Sequence, residues 1–169
     1  LDFELTTEMG TPLIGIDWGF SIDPTCIIEC FEHGQDLYIT NCGSKVGLEL
    51  DDTANFFIEH VSNIKLYTSR ADCSRPETIA KVKKDINLIT ACKKYAGSVE
   101  DGLVFIQNYK NIYVHPAAAD CMTELTLASW KKDKDGNITN IPQDKDNHYL
   151  DALRYALEPK IKGKRKVFV

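Results

Sequence analysis

The 169-residue sequence has no C-x-x-C pair among its six cysteines and no Cys/His group with zinc-finger spacing. Those absences exclude the common structural zinc modules and a thioredoxin-type redox motif. Cys26, Cys30, Cys42, Cys73, Cys92 and Cys121 lie mostly in apolar or strand-like stretches. Free cysteine behaves there as a small hydrophobe, and reduced thiols in a cytosol are the expectation. No apolar run approaches the roughly 20 residues of a membrane helix. No charged-then-apolar leader opens the chain, so secretion is not indicated. The pattern G-x-x-x-x-G-K-[ST] is also missing, which argues against a motor phosphate loop in this stretch. A basic excess is missing as well: 20 Lys and Arg against 25 Asp and Glu leave a net charge of −5. That balance runs against a broad phosphate-binding surface, although carboxylates clustered to hold metal ions would produce the same deficit.

What is present is ordinary for a globular domain: 43% hydrophobic and 27% charged residues, in a chain long enough for one core. The chain opens on Leu1 rather than Met, in text that reads like an interior segment. The expectation is one domain, residues 1–169, cut from a longer protein. The closing run KIKGKRKVFV is strongly basic and reads either as a solvated tail or as a phosphate contact.

Residues 11–17 (TPLIGID) predict a buried strand ending at an acid. Residues 25–31 and 37–41 predict two more, joined by the turn text EHGQD into a hairpin. Phe56, Phe57, Val61 and Ile64 recur at helical spacing within 52–64. A strand over 65–71 then ends at Asp72, and Ser74-Arg75-Pro76-Glu77 opens a helix running to about Lys84. A strand over 87–92 follows. Ser98-Val99-Glu100-Asp101 resembles a capping box for a helix to about Tyr109, with Asp in place of the usual Glu or Gln. Residues 111–115 predict a short strand, 117–131 a helix, and 131–146 a loop or hairpin. A last amphipathic helix spans 148–157 and is expected to stop at Pro159. Three strands, then alternating helices and strands, then a final helix define a mixed α/β layer fold.

Three acids stand where strand ends and that last helix could bring them together: Asp17 after LIGI, Asp72 after KLYTSRA, and Asp151 in HYLDALRYAL. An acid just past a buried strand is exposed at the sheet edge on a rigid backbone. Several such acids repel one another unless a cation lies between them. Their hard oxygens suit Mg²⁺ or Mn²⁺, and a pair of such ions can drive phosphodiester cleavage. The plainer reading makes each acid a turn or cap residue, and spacing alone leaves both open. His148, three positions before Asp151, could contact metal, phosphate or an attacking water, or could face solvent. Asp144 and Asp146 rival Asp151 but suit capping or loop roles. Asp23, in D-P-T, reads as a turn former. Glu124 could reach the site from its helix, although a solvated helix face is the plainer reading. Gly15 and Gly19 serve turn geometry and close packing, or let a DNA backbone approach. Arg75, Lys93 and Lys94 could meet phosphate or simply be solvated, and Trp18 and Phe20 could wall a cleft or pack in the core.

Taken in order, GIDWGFSIDPT, ADCSRPETI, AGSVEDGLVFIQ, NIYVHP and HYLDALRYAL resemble the nuclease domain of tailed-phage terminase large subunits, across nearly the whole chain. The resemblance implies a ribonuclease H-like fold, with a mixed central sheet flanked by helices. It implies a metal-dependent endonuclease that cuts concatemeric double-stranded DNA with two Mg²⁺ or Mn²⁺ ions. Asp17, Asp72 and Asp151 become the metal ligands, and His148 becomes a residue at the site. It implies further that an ATPase domain precedes Leu1. The partners would be DNA, the small terminase subunit and the portal, with no membrane, acting at the procapsid in the host cytoplasm. Cys73 departs from the pattern, standing where Ser or another small residue is expected. Two other readings remain. I-G-I-D-W-G also resembles the first phosphate loop of actin-like and sugar-kinase ATPases, but no second glycine-rich loop follows. A non-catalytic DNA-gripping or portal-docking module with vestigial acids is the third.

Overall fold

The computed structural model describes residues 10–127, 130–132, 134–142 and 147–163. In chain order the elements are β1 (Leu13–Asp17), β2 (Pro24–His33), β3 (Asp36–Val46), α1 (Thr53–His60), β4 (Ser69–Ala71), α2 (Pro76–Val82) and β5 (Ile89–Ala91). They continue with α3 (Ser98–Gln107), β6 (Asn111–Val114), a 3₁₀ segment (Pro116–Cys121), α4 (Met122–Leu127), β7 (Trp130–Lys132), β8 (Ile138–Pro142), α5 (His148–Ala156) and α6 (Glu158–Gly163).

Six strands form one sheet in the order β5-β4-β1-β2-β3-β6. β1, β2 and β3 make an antiparallel meander, whereas β4 runs parallel to β1, β5 parallel to β4, and β6 parallel to β3. This is the mixed sheet flanked by helices that the sequence implied. The parallel crossovers need helices to return the chain, and these cover both faces. One core joins Ile14, Ile16, Ile27 and Ala71 of the sheet to Phe56 and Phe57 of α1 and Ile79 and Val82 of α2. The other joins Leu13, Cys26, Ile28 and Ile39 to Leu103 and Ile106 of α3 and Leu150, Leu153 and Ala156 of α5. Among the described residues, no helix is long and apolar enough to cross a membrane.

Several local expectations shift. The first helix and the strand before Asp72 are shorter than predicted, at Thr53–His60 and Ser69–Ala71. The Ser98–Asp101 capping box does not form. Gly97, at φ 85°, caps α3 without a side-chain bond, and Asp101 accepts from the Tyr95 hydroxyl instead. The helix predicted over 117–131 divides into the 3₁₀ segment and α4, and Trp130–Lys132 pairs antiparallel with Ile138–Pro142, which settles the loop-or-hairpin choice. Pro159 does not end the chain's helical run. It falls in the first turn of α6, where its missing N–H costs nothing. Asp144 and Asp146, and the tail from residue 164 onward, lie outside the described residues.

Candidate active site

Side chains alternate along a strand. On β1, Ile14 and Ile16 enter the core under α1 and α2, so Gly15 and Asp17 face α5. β4 pairs Ala71 with Ile16, and the ladder extends one step further, the Asp72 N–H donating to the Ile16 carbonyl at 2.9 Å. Ala71 is in the α1/α2 core, so Asp72 turns the other way. Two carboxylates therefore stand at the carboxyl ends of neighbouring parallel strands, on one face. Both are largely buried, at 8% and 7% exposure.

Helix α5 supplies the third. It can lie this close because residue 15 is glycine: a Cβ there would sit 1.9 Å from the Ala152 carbonyl oxygen and 2.6 Å from the Ala156 nitrogen. Gly15 thus serves helix packing rather than DNA approach. Gly19 serves the turn, since its Cβ would meet the backbone of Asp23, Pro24 and Thr25. The α5 N-terminus is fixed by Glu124, whose Oε1 accepts the Leu150 N–H at 2.8 Å. Glu124 is therefore not on a solvated helix face. Burial pushes its carboxyl up to about 7, with the Leu150 N–H pulling the other way.

Each acid carries a protein cation or donor. Lys94 Nζ lies 2.5 Å from Asp72 Oδ1, and the Ser74 hydroxyl donates to Asp72 Oδ2 at 2.6 Å. His148 Nδ1 lies 3.3 Å from Asp17 Oδ2, while its Nε2 faces Asp23 Oδ1 at 3.7 Å. Arg154, itself buried, forks onto Asp151 Oδ1 at 2.7 and 3.1 Å. Burial pushes Asp17 up to about 7; Asp151 and Asp72 add to the rise, and His148 opposes it. Burial acts upward on Asp72 too, yet Lys94 and Ser74 hold it below its ordinary value. The three predicted acids thus share one crowded face, and His148 joins them. Asp23 is both turn former and His148 partner, its N–H bonding to the Phe20 carbonyl at 2.9 Å.

Sequence reasoning missed Arg154, whose i,i+3 spacing from Asp151 was the available signal. It left Lys94 as a phosphate contact or a solvated side chain, not as the partner of Asp72. Arg75 lies over the exposed Phe20 ring, 5.3 Å from its centroid. Trp18 is a core residue, packed on Phe57, with its indole N–H donating to the Asp72 carbonyl at 2.8 Å.

A meander with parallel strands on its flank and acids at strand ends defines the ribonuclease H-like class. Within that class the chain belongs to the terminase RNase H-like domain family, whose model matches residues 17–159. It is similar to the large-terminase (g2p) nuclease domain of bacteriophage SPP1, solved with bound Mn, at 27% identity and TM-score 0.82, covering 90% of this chain and 88% of that one. It also resembles a longer large terminase from a thermophilic bacteriophage at 15% identity and TM-score 0.68, spanning 92% of this chain but 41% of that protein. The large-terminase nuclease of thermophilic phage G20c, with bound magnesium, matches at 16% identity and TM-score 0.58, covering 86% and 79% of the two chains. No curated protein sequence matches. Family membership runs against the actin-like reading.

Proposed function

We propose that this domain is a divalent-metal-dependent endonuclease that cuts concatemeric double-stranded DNA during phage genome packaging. Asp17, Asp72 and Asp151 would hold two Mg²⁺ or Mn²⁺ ions. The observation that carries this reading is the crowding of two acids at strand ends and a third on α5, where burial and then their mutual charge drive Asp17 up to about 7. Carboxylates that crowd one another at such cost, with hard oxygen donors and neighbouring solvent, fit a cationic guest. When bound, the ions would supply a nucleophilic hydroxide and charge stabilisation at the leaving oxygen.

The chain's own residues set the geometry. β1 and β4 hold Asp17 and Asp72 rigidly, while Gly15 lets α5 carry Asp151 and His148 against them. His148 lies between Asp17 and Asp23 through its two ring nitrogens and would position a water or phosphate beside the acids. Arg154 orients Asp151 through its two N–H groups. Lys94 keeps Asp72 ionised and would yield part of that carboxylate to the metal. The ATPase motor domain, the small terminase subunit and the portal, with action at the procapsid in the host cytoplasm, belong to the same reading by family.

Plasmid cleavage with and without Mn²⁺ tests it, comparing the wild-type domain with Asp72→Asn. The expected result is metal-dependent nicking by the wild type and none by the variant, with the variant still folded by circular dichroism. Loss of one ligand should cost several kcal/mol of barrier, on the order of a thousandfold in rate. Equal cleavage by both would remove Asp72 from the site. DNA binding without any cleavage would return the non-catalytic docking module.

A further inference from the structure

Beside the acid cluster lies a second set of donors of different chemistry. Among the described residues, Asp72, Cys73 and Cys92 form the set of three His, Cys, Asp or Glu side chains whose ligand atoms all lie within 4.8 Å of one another. The backbone fixes this meeting. β5 runs parallel to β4, and the Cys92 N–H donates to the Ala71 carbonyl at 2.7 Å, which brings the residue after β5 level with the residues after β4. Cys73 is half-buried, Cys92 is buried, and both thiols are free. Cys92 also lines a cleft with Lys94, Arg154 and Tyr155.

We infer that Asp72, Cys73 and Cys92 form a site for a thiophilic divalent cation of the Zn²⁺ class, distinct in ligand chemistry from the all-carboxylate centre and competing with it for Asp72. Donors around a tetrahedral zinc stand roughly 3.5–3.8 Å apart, given Zn–S near 2.3 Å and Zn–O near 2.1 Å. The three ligand atoms, all within 4.8 Å of one another, would close on the ion as it enters. A carboxylate offers about four lone-pair positions, so Asp72 can keep its bonds to Ser74 and Lys94 while giving one to a metal.

The charges also balance. Two thiolates and one carboxylate around Zn²⁺ leave one negative charge, and the Lys94 ammonium on Asp72 neutralises it. Binding forms two Zn–S bonds and one Zn–O bond, releases two thiol protons to solvent, and leaves the fourth position to water. No electron is transferred. The thiolate is the ligand, so binding releases protons and affinity should rise with pH. Soft thiolates select Zn²⁺ over Mg²⁺ or Mn²⁺. The functional consequence rests on Asp72 serving the nuclease centre: zinc held here would withdraw that acid and block cleavage.

Cobalt titration tests the site directly, because thiolate ligation of Co²⁺ gives a near-ultraviolet charge-transfer absorption that carboxylate ligation does not. The wild-type domain should show that band, saturating at one equivalent and bleached by added Zn²⁺. Cys73→Ser/Cys92→Ser should lose it. The same double variant should keep Mn²⁺-dependent cleavage and resist Zn²⁺ at concentrations that stop the wild type. If serine at the buried Cys92 prevents folding, Cys73→Ser alone should weaken Zn²⁺ binding at least about tenfold. A wild type without the band, or variants whose band and zinc affinity are unchanged, would overturn the site. Failure of the Mn²⁺-loaded wild type to cut DNA would count against the nuclease reading instead, and the cobalt spectrum would still report on the thiols.

Discussion

Ile16 and Asp17 are consecutive on β1, yet they face opposite layers, and the two layers obey different physics. Beneath α1 and α2 the sheet offers Ile14, Ile16, Ile27, Ala71 and Ile89, all fully or almost fully buried. Polar groups there are few, chiefly the buried Glu29, bonded to Thr40 and Asn41, and the Ser69 hydroxyl, and burial stabilises at roughly 25 cal/mol per Å² of apolar surface. Beneath α5 the same strands add to an apolar core of Leu13, Cys26 and Ile28 a glycine and, at the strand ends, carboxylates, answered by His148, Lys94 and Arg154. That face buries charge at a cost, and the costs are met by ion pairs that a metal could rearrange. The contrast shows how one rigid backbone can support a strained site: the apolar layers supply stability that the charged end of the α5 face uses.

The sharpest way to break this comparison is Asp17→Asn. The Asp17 carboxyl titrates near 7 in the folded domain against 3.8 unfolded. As pH rises from about 4 to about 7 the unfolded chain releases its proton first. The folded state then binds more protons, and this residue lowers stability progressively. At 1.36 kcal/mol per pH unit the penalty reaches at most about 4 kcal/mol above that window. Metal-free Asp17→Asn should therefore melt higher than wild type near pH 8, with the gain vanishing near pH 4, while losing cleavage. A melting point unchanged or lowered at both pH values would show that the α5 face carries no charge strain.

The next largest effect is expected at Gly15. Alanine there drives a methyl into the α5 backbone and should cost about 3 kcal/mol or more, since the obstacle is main chain rather than a mobile side chain. Ile16→Val, one residue along and on the dry face, should cost only about 1 kcal/mol. Urea unfolding of the two variants checks the contrast, and equal losses would contradict the close approach of α5. Because α5 carries Asp151, Gly15→Ala should also weaken Mn²⁺ binding, whereas Ile16→Val should not.

The smallest effect distinguishes the two α5 residues at the site. His148→Ala should reduce cleavage less than Asp151→Asn, because on the proposed reading Asp151 is a required metal ligand and His148 an assisting neighbour. Single-turnover cleavage at saturating Mn²⁺ provides the measurement. Complete loss in both variants would place His148 among the ligands.

Much of this protein was legible in its residues. The apolar run before Asp17, the hairpin text EHGQD, Pro76 opening α2 and the amphipathic period of HYLDALRYAL each give a local element, because strand and helix periodicity is a property of nearby sequence. The acids at strand ends were legible for the same reason, and the motif order pointed to the family. Helix ends were read less well, as at 117–131, where a run of alanines concealed a 3₁₀ turn and a strand that finds its partner only in the hairpin.

What only the tertiary structure decided concerns contacts between distant residues. That Gly15 is a landing place for α5, that Glu124 caps α5 from 26 residues away, and that Lys94 rather than solvent holds Asp72 are consequences of packing. The meeting of Cys92 with Asp72 and Cys73 depends on the register of β4 and β5, which no single segment encodes. Local sequence determines which face each residue presents; only the closed sheet and the helix laid across it determine what that face meets.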